Sequence, residues 1–125
     1  MDKKTIYLGG PYSHPDENIR KKRYNAYRKL AMLILDKHES LVFSPITHSH
    51  PIVTVKNFPE KLWSYDIWLT FDVKMLDVCD ELWIAELDGW QESKGTAIEI
   101  EHAKATGKPI KMITKRGRVY DYKGY

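Results

Sequence analysis

A carboxylate set among apolar side chains is the first residue of chemical interest. On a helical wheel of about 100° per residue, Asp72 falls between Tyr65, Trp68, Leu69, Met75 and Leu76, inside an apolar stripe. Asp66 and Asp77 project from another side and read as surface acids. A carboxylate near a core costs several kcal/mol unless it is paired or protonated, and such surroundings tune the pKa of acids and bases. Asp72 is therefore a candidate for proton transfer, with a structural cap or pair as the plainer alternative. A second group lies in the polar segment DGWQESKGTAIE, residues 88–99, where Ser93 and Thr96 have the residue types of helix N-caps. The free amides and positive dipole of a helix start suit a phosphate or carboxylate. This makes Asp88, Trp90, Ser93, Gly95 and Thr96 candidate substrate contacts, Trp90 by stacking on a base. Glu99 and Glu101 follow, and periodicity does not choose between them. Each could be a nucleophile or an ordinary surface helix residue.

Three further sets carry weaker chemistry. Gly9-Gly10-Pro11-Tyr12-Ser13 ends an apolar run and lets backbone approach a ligand, although a tight strand-to-helix turn needs glycine for structural reasons too. A third glycine is missing, so this is no dinucleotide fingerprint. Arg20, Lys21, Lys22 and Arg23 form a basic run that either faces a phosphate or solvates the outer side of a helix. His48 and His50 have a spacing compatible with a metal, but no third ligand accompanies them, so no metal site is assigned and His48 is read as a loop residue within reach of substrate.

The elements that must position these residues follow from the patterning. Thr5 to Leu8 reads as a strand, Pro15 to Lys37 as a helix, Leu41 to Phe43 as a second strand, and Pro45 to Pro59 as a long loop. Glu60 to Val78 returns to helical spacing. Leu82 to Leu87 reads as a central strand, Gly95 to Thr106 as a helix stopped by Gly107, and Pro109 to Thr114 as a last strand. The tail RVYDYKGY has no clear period, and Trp63, Trp68 and Trp83 read as core. Alternating strands and helices imply an α/β parallel sheet between helices, with ligands outside the carboxyl ends of the strands.

Composition narrows the function. With 125 residues, 42% of them hydrophobic, the chain suits one domain over residues 1–125. The net charge of +3 is too small for wrapping a nucleic-acid polymer. The single cysteine, Cys79, fits a reducing, cytoplasmic setting and excludes an internal disulfide framework. The opening MDKKTIYLGG reads as neither a signal peptide nor a membrane span.

The same opening resembles that of nucleoside 2-deoxyribosyltransferases, and GTAIE resembles the segment carrying their nucleophilic glutamate. Asp72 and Glu99 stand at the interval that separates two carboxylates in those enzymes and in the related deoxynucleoside 5′-monophosphate N-hydrolases. The resemblance implies a flavodoxin-like sheet and no cofactor. It further implies that Glu99 attacks the anomeric carbon to leave a glycosyl-enzyme, that Asp72 manages the proton, and that Tyr7 orients the nucleophile. It also implies a homodimer or larger assembly, for which the aromatic tail ending at Tyr125 is a candidate contact.

Two departures bear on the substrate. Six residues before Glu99, where the transferases carry an aspartate for the free 5′-hydroxyl, stands Ser93, as in the monophosphate hydrolases. Those hydrolases carry a further phosphate-binding serine just after the first-strand glycine, where this chain has Pro11 with Ser13 nearby. GPYSHP and SPITHSHP also resemble uncharacterised bacterial and phage relatives. The expected activity is cleavage of the N-glycosidic bond of a nucleoside or its 5′-monophosphate; the alternative is a nucleotide-sensing module that keeps the pocket without turnover.

Overall fold

The apolar runs form the middle layer of the protein. The computed structural model describes residues 3–124, without the side chain of Tyr65; Met1, Asp2 and Tyr125 lie outside it, and with them the start of the opening motif and the end of the aromatic tail. The elements are β1 (Thr5–Gly9), α1 (Glu17–Lys37), β2 (Leu41–Phe43), α2 (Pro45–Val53), α3 (Tyr65–Val78), β3 (Glu81–Ala85), α4 (Lys94–Ala105), β4 (Ile110–Ile113) and β5 (Val119–Asp121). Single 3-10 turns stand at Glu60–Trp63 and Trp90–Glu92. The sheet order is β2-β1-β3-β4-β5, with the first four strands parallel and β5 antiparallel to β4. This is the flavodoxin-like α/β order expected, and its topological switch point lies between the carboxyl ends of β1 and β3.

Strand alternation divides the core in two. Ile6, Leu8, Trp83, Ala85 and Ile113 face Tyr27, Leu30 and Ile34 of α1. Tyr7, Leu82, Ile84 and Met112 face Leu76 of α3 and Ile100 and Ala103 of α4. The register Tyr7↔Leu82 thus sets the Tyr7 ring on the same side of the sheet as α4. Each fully buried aliphatic side chain contributes about 1.5–3 kcal/mol, so the two faces supply most of the adhesion between layers.

Four expectations are corrected. The segment expected as a loop from Pro45 forms α2, because Ser44 Oγ accepts from the Thr47 amide at 3.4 Å and Pro45 occupies the first turn, where its missing donor costs nothing. Pro51, which argues for a loop in the sequence, removes one backbone donor within this short helix. The helix expected from Glu60 breaks at Ser64, whose ψ of 127° leaves the helical region, and Trp68 Nε1 pins the preceding turn through the Leu62 carbonyl at 2.8 Å. The tail folds back as β5, so the sheet has one antiparallel edge. Trp63 is 48% exposed and is not core. No helix among the described residues is long and apolar enough to cross a membrane.

Candidate active site

Glu99 projects from the buried side of α4, 6% exposed, while Glu101 points outward and is exposed. The tertiary structure thereby makes the choice that periodicity leaves open. Tyr7, fully buried on β1, donates its hydroxyl to Glu99 Oε2 at 2.7 Å. Glu99 Oε1 has no hydrogen-bond partner among the described residues. It lies over Gly9, where a Cβ would sit 2.7 Å from Oε1, so glycine here makes room for the carboxylate. Gly10 adopts φ +144°, and a Cβ there would meet the Tyr27 hydroxyl at 2.5 Å. That hydroxyl donates to the Pro11 carbonyl at 2.7 Å. The glycine pair thus serves both the tight turn and the close approach of Glu99.

Burial pushes the Glu99 carboxyl up to about 8. The Tyr7 hydrogen bond opposes this, the nearby Asp72 charge adds to it, and the Gly10 amide favours the anion without making a hydrogen bond to Oε1. Asp72, on the cavity side of α3, is pushed up to about 7 by burial. Burial first, then the charges of Glu99 and Asp72, hold the Tyr7 hydroxyl well above its ordinary value. Tyr7 is therefore a fixed donor, and both carboxyls lose their protons near neutral pH, Glu99 held up by burial and by the Asp72 charge, Asp72 by burial.

These groups open on a cavity of about 1250 Å³ at the switch point. Of the expected contacts, Gly10, Pro11, Tyr12, Ser13, Arg23, Asp72, Asp88, Ser93, Gly95 and Glu99 line it. Ser93 Oγ accepts from the Thr96 amide at 3.2 Å as the N-cap of α4, which leaves its hydroxyl hydrogen free to donate. Tyr12 is held in the wall by a 2.6 Å hydrogen bond with His50 Nδ1, and Tyr24 stacks on that imidazole at 4.2 Å. A smaller recess of about 540 Å³ continues outward, sharing Tyr12, Ser13, His14 and Trp63 and adding Arg20, which donates to the His14 carbonyl.

Other expected contacts lie elsewhere. Tyr7 and Gly9 sit behind and beneath Glu99 rather than in the wall. Thr96 is buried with its Oγ1 unpaired, His48 stacks on Phe71 at 5.1 Å outside the cavity, and Trp90 packs against the core facing α3 and α4. Arg23 is committed to the protein: Nη1 donates to the carbonyls of Tyr12 and Ser13 at 3.3 and 3.1 Å, and Nη2 to that of Asp88 at 3.0 Å. It straps two loops together across the cavity mouth. Besides Tyr12, the aromatic walls are Trp63 and Trp68; the wheel that places Trp68 beside Asp72 contains that signal. Among the described residues no three histidine, cysteine or acidic side chains cluster as metal ligands.

Fold and site together define a flavodoxin-like α/β protein with a buried glutamate and a half-buried aspartate at the sheet's switch point. Residues 4–115 match the family described as a domain of unknown function, DUF1937, and the chain belongs to that family. No curated protein matches the chain in sequence. Among solved structures it is similar to a 2-deoxyribosyltransferase from the psychrotolerant bacterium Bacillus psychrosaccharolyticus, at 20% identity and a TM-score of 0.58, over 94% of this chain and 77% of that one. It is also similar to a 2-deoxyribosyltransferase from Leishmania mexicana, at 23% identity and a TM-score of 0.52, over 89% of this chain and 64% of that one. The chain thus spans less than two thirds of the second enzyme's length, and at these identities the likeness is one of fold.

Proposed function

We propose that residues 1–125 form one nucleoside 2-deoxyribosyltransferase-like domain, of a bacterial or phage branch. It cleaves the N-glycosidic bond of a nucleoside or nucleoside 5′-monophosphate in the cytoplasm. The observation that carries this reading is Glu99, buried at the cavity floor with one oxygen held by Tyr7 and the other unpartnered. As the carboxylate, Oε1 bonds to C1′ while the C1′–N bond breaks and its electron pair passes to the base. Asp72 supplies the proton the base takes up. Water or a second base then attacks C1′ of the glycosyl-Glu99 ester, Asp72 takes that nucleophile's proton, and Glu99 departs as the carboxylate. Of the two singly protonated arrangements of the pair, the reactive one has Glu99 ionised and the proton on Asp72; with Glu99 pushed up to about 8 and Asp72 to about 7 it is the minor of the two, drawn on as the base departs. Ser93, which lines the cavity and caps α4, holds the 5′-phosphate in this reading together with the amides that open the helix.

The test is incubation with each common nucleoside and 5′-monophosphate, with and without a second base, followed by chromatography and intact-mass measurement. Base release together with a glycosyl adduct on Glu99 is expected. Nucleotide binding with neither release nor adduct would replace the enzyme by a sensing module. The working unit is proposed to be a homodimer or larger, which light scattering checks. Val119–Asp121 of the tail is already engaged as the edge strand of its own sheet, and Tyr125 lies outside the described residues.

A further inference from the structure

Lys22 and Lys29 share the cavity-facing side of α1, two turns and about 10 Å apart along the helix axis. Arg23, beside Lys22 on that face, has both terminal nitrogens committed to backbone carbonyls. Lys94 and Lys115 reach the same cavity from the start of α4 and from the chain beyond β4. Lys22, Lys29 and Lys94 have neither a hydrogen bond nor an ion pair among the described residues. Lys115 has only the Asp88 carboxylate at 3.9 Å, and that side chain is fully exposed. Apart from Asp72 and Glu99, the acids of the wall are Asp88 and Glu92, both exposed.

A single phosphoryl group at the start of α4 would answer Ser93 and Lys94 and leave the α1 lysines without a partner. The cavity, at about 1250 Å³, exceeds the roughly 300–1,000 Å³ of ordinary small-molecule sites. We infer that the cavity binds a nucleotide carrying a 5′-diphosphate, whose second phosphoryl group is held by Lys22 and Lys29 on α1. The inference rests on the glycosidic reading of the same site for where the sugar and first phosphate lie. The second phosphoryl group either ends the molecule or is esterified to a further sugar, and the chemistry of recognition is the same for both.

The experiment is calorimetric titration of the Glu99→Gln protein, which keeps the side-chain volume and leaves the ligand uncleaved. The probes are adenosine, guanosine, cytidine and thymidine 5′-mono- and 5′-diphosphates, with ADP-ribose as the esterified form. In at least one base series the diphosphate should bind about tenfold more tightly than the monophosphate at low salt, the advantage shrinking as salt rises. Combining Glu99→Gln with Lys22→Glu and Lys29→Glu should reduce it below about twofold. Both lysines are exposed, so this variant should fold, which its circular dichroism checks. Equal affinities in every series, or an advantage that survives the double charge reversal, overturn the inference. ADP-ribose binding as tightly as the diphosphate supports the esterified form. In parallel base-release assays of wild type, diphosphate binding without release sustains this inference and sinks the glycosidic reading. Release from the monophosphate with no gain from a second phosphoryl group does the reverse.

Discussion

Two glutamates are buried to nearly the same degree at opposite ends of the strands, Glu81 at 4% exposure and Glu99 at 6%. Glu81 opens β3 and has both oxygens engaged, Oε2 by Lys4 Nζ at 2.6 Å and Oε1 by Trp83 Nε1 at 3.0 Å. Burial pushes its carboxyl up, but the hydrogen bonds from Lys4 and Trp83 together with the charges of Lys4 and Lys111 outweigh burial and hold it below the usual range. Glu99 has one neutral donor, an unpartnered oxygen and a second carboxylate nearby, and sits at about 8. Burial alone therefore does not make a carboxylate reactive. What separates the two is whether the protein supplies a cation and fills both oxygens.

The sharpest way to break this comparison is to delete each carboxylate in turn. Glu99→Ala should reduce base release by about 10⁴-fold or more, whereas Glu81→Gln and the exposed Glu101→Ala should stay within a few-fold of wild type. Comparable losses at Glu81 and Glu99 in a chromatographic assay would remove the distinction.

Asp72→Asn should fold normally and lose about 10²–10⁴-fold in rate, because the amide fills the same space and exchanges no proton. In wild type, the rate of adduct formation should be bell-shaped in pH. It should rise as the pair loses its first proton near 7 and fall as it loses the second near 8, the two values belonging to the pair. A pH profile flat between 6 and 9 in rapid-quench measurements would contradict the shared proton.

Stability should separate the glutamates by sign. The folded Glu99 carboxyl lies above its unfolded value, so the native state binds the extra proton and loses stability as pH climbs from about 4.5 towards 8. Glu99→Gln should thus resemble wild type near pH 5 and exceed it by a few kcal/mol near pH 9. Glu81 is depressed when folded, so its contribution is present above its unfolded value and lost as pH falls through the folded one. Glu81→Gln should lower the melting temperature by several degrees at neutral pH and match wild type in strong acid. Thermal melts across pH read both signs, and equal slopes for the two variants would refute them.

The smallest expected effect is at the cavity rim. Ser93→Asp should shift preference from the monophosphate towards the nucleoside by about tenfold, since an added carboxylate repels a phosphate yet accepts from a free 5′-hydroxyl. Ratios of kcat/KM for the two substrates measure it, and an unchanged ratio would place the 5′-phosphate elsewhere.

Much of the fold was legible because strands and helices are written in apolar period. Leu41–Phe43 matches its expected bounds, and β1, β3, β4 and α4 lie within a residue or two of theirs. The failures share a physical cause: proline and short aromatic runs carry two readings. Ser44-Pro45 ends a strand and also starts a helix, and the tail becomes a strand only because β4 presents an edge to pair with. Asp72 was legible from its apolar neighbours. His48, Arg20 and Arg23 were not, because a histidine or arginine in a loop or basic run carries no mark of whether a ligand, a carbonyl or a ring will claim it.

The sequence by itself determined the alternation of strands and helices and a helix start near Gly95 with Ser93 or Thr96 as its cap, since each depends on neighbours close in the chain, and the resemblance added the interval between Asp72 and Glu99. The separation of Glu99 from Glu101, the hydrogen bond from Tyr7, the need for Gly9 beneath Oε1 and the strap of Arg23 were decided only by tertiary structure. These contacts join residues from 10 to more than 90 positions apart, beyond the reach of any local period. They exist because strand register and helix packing on the two faces bring α1 and α4 together at the carboxyl end of β1.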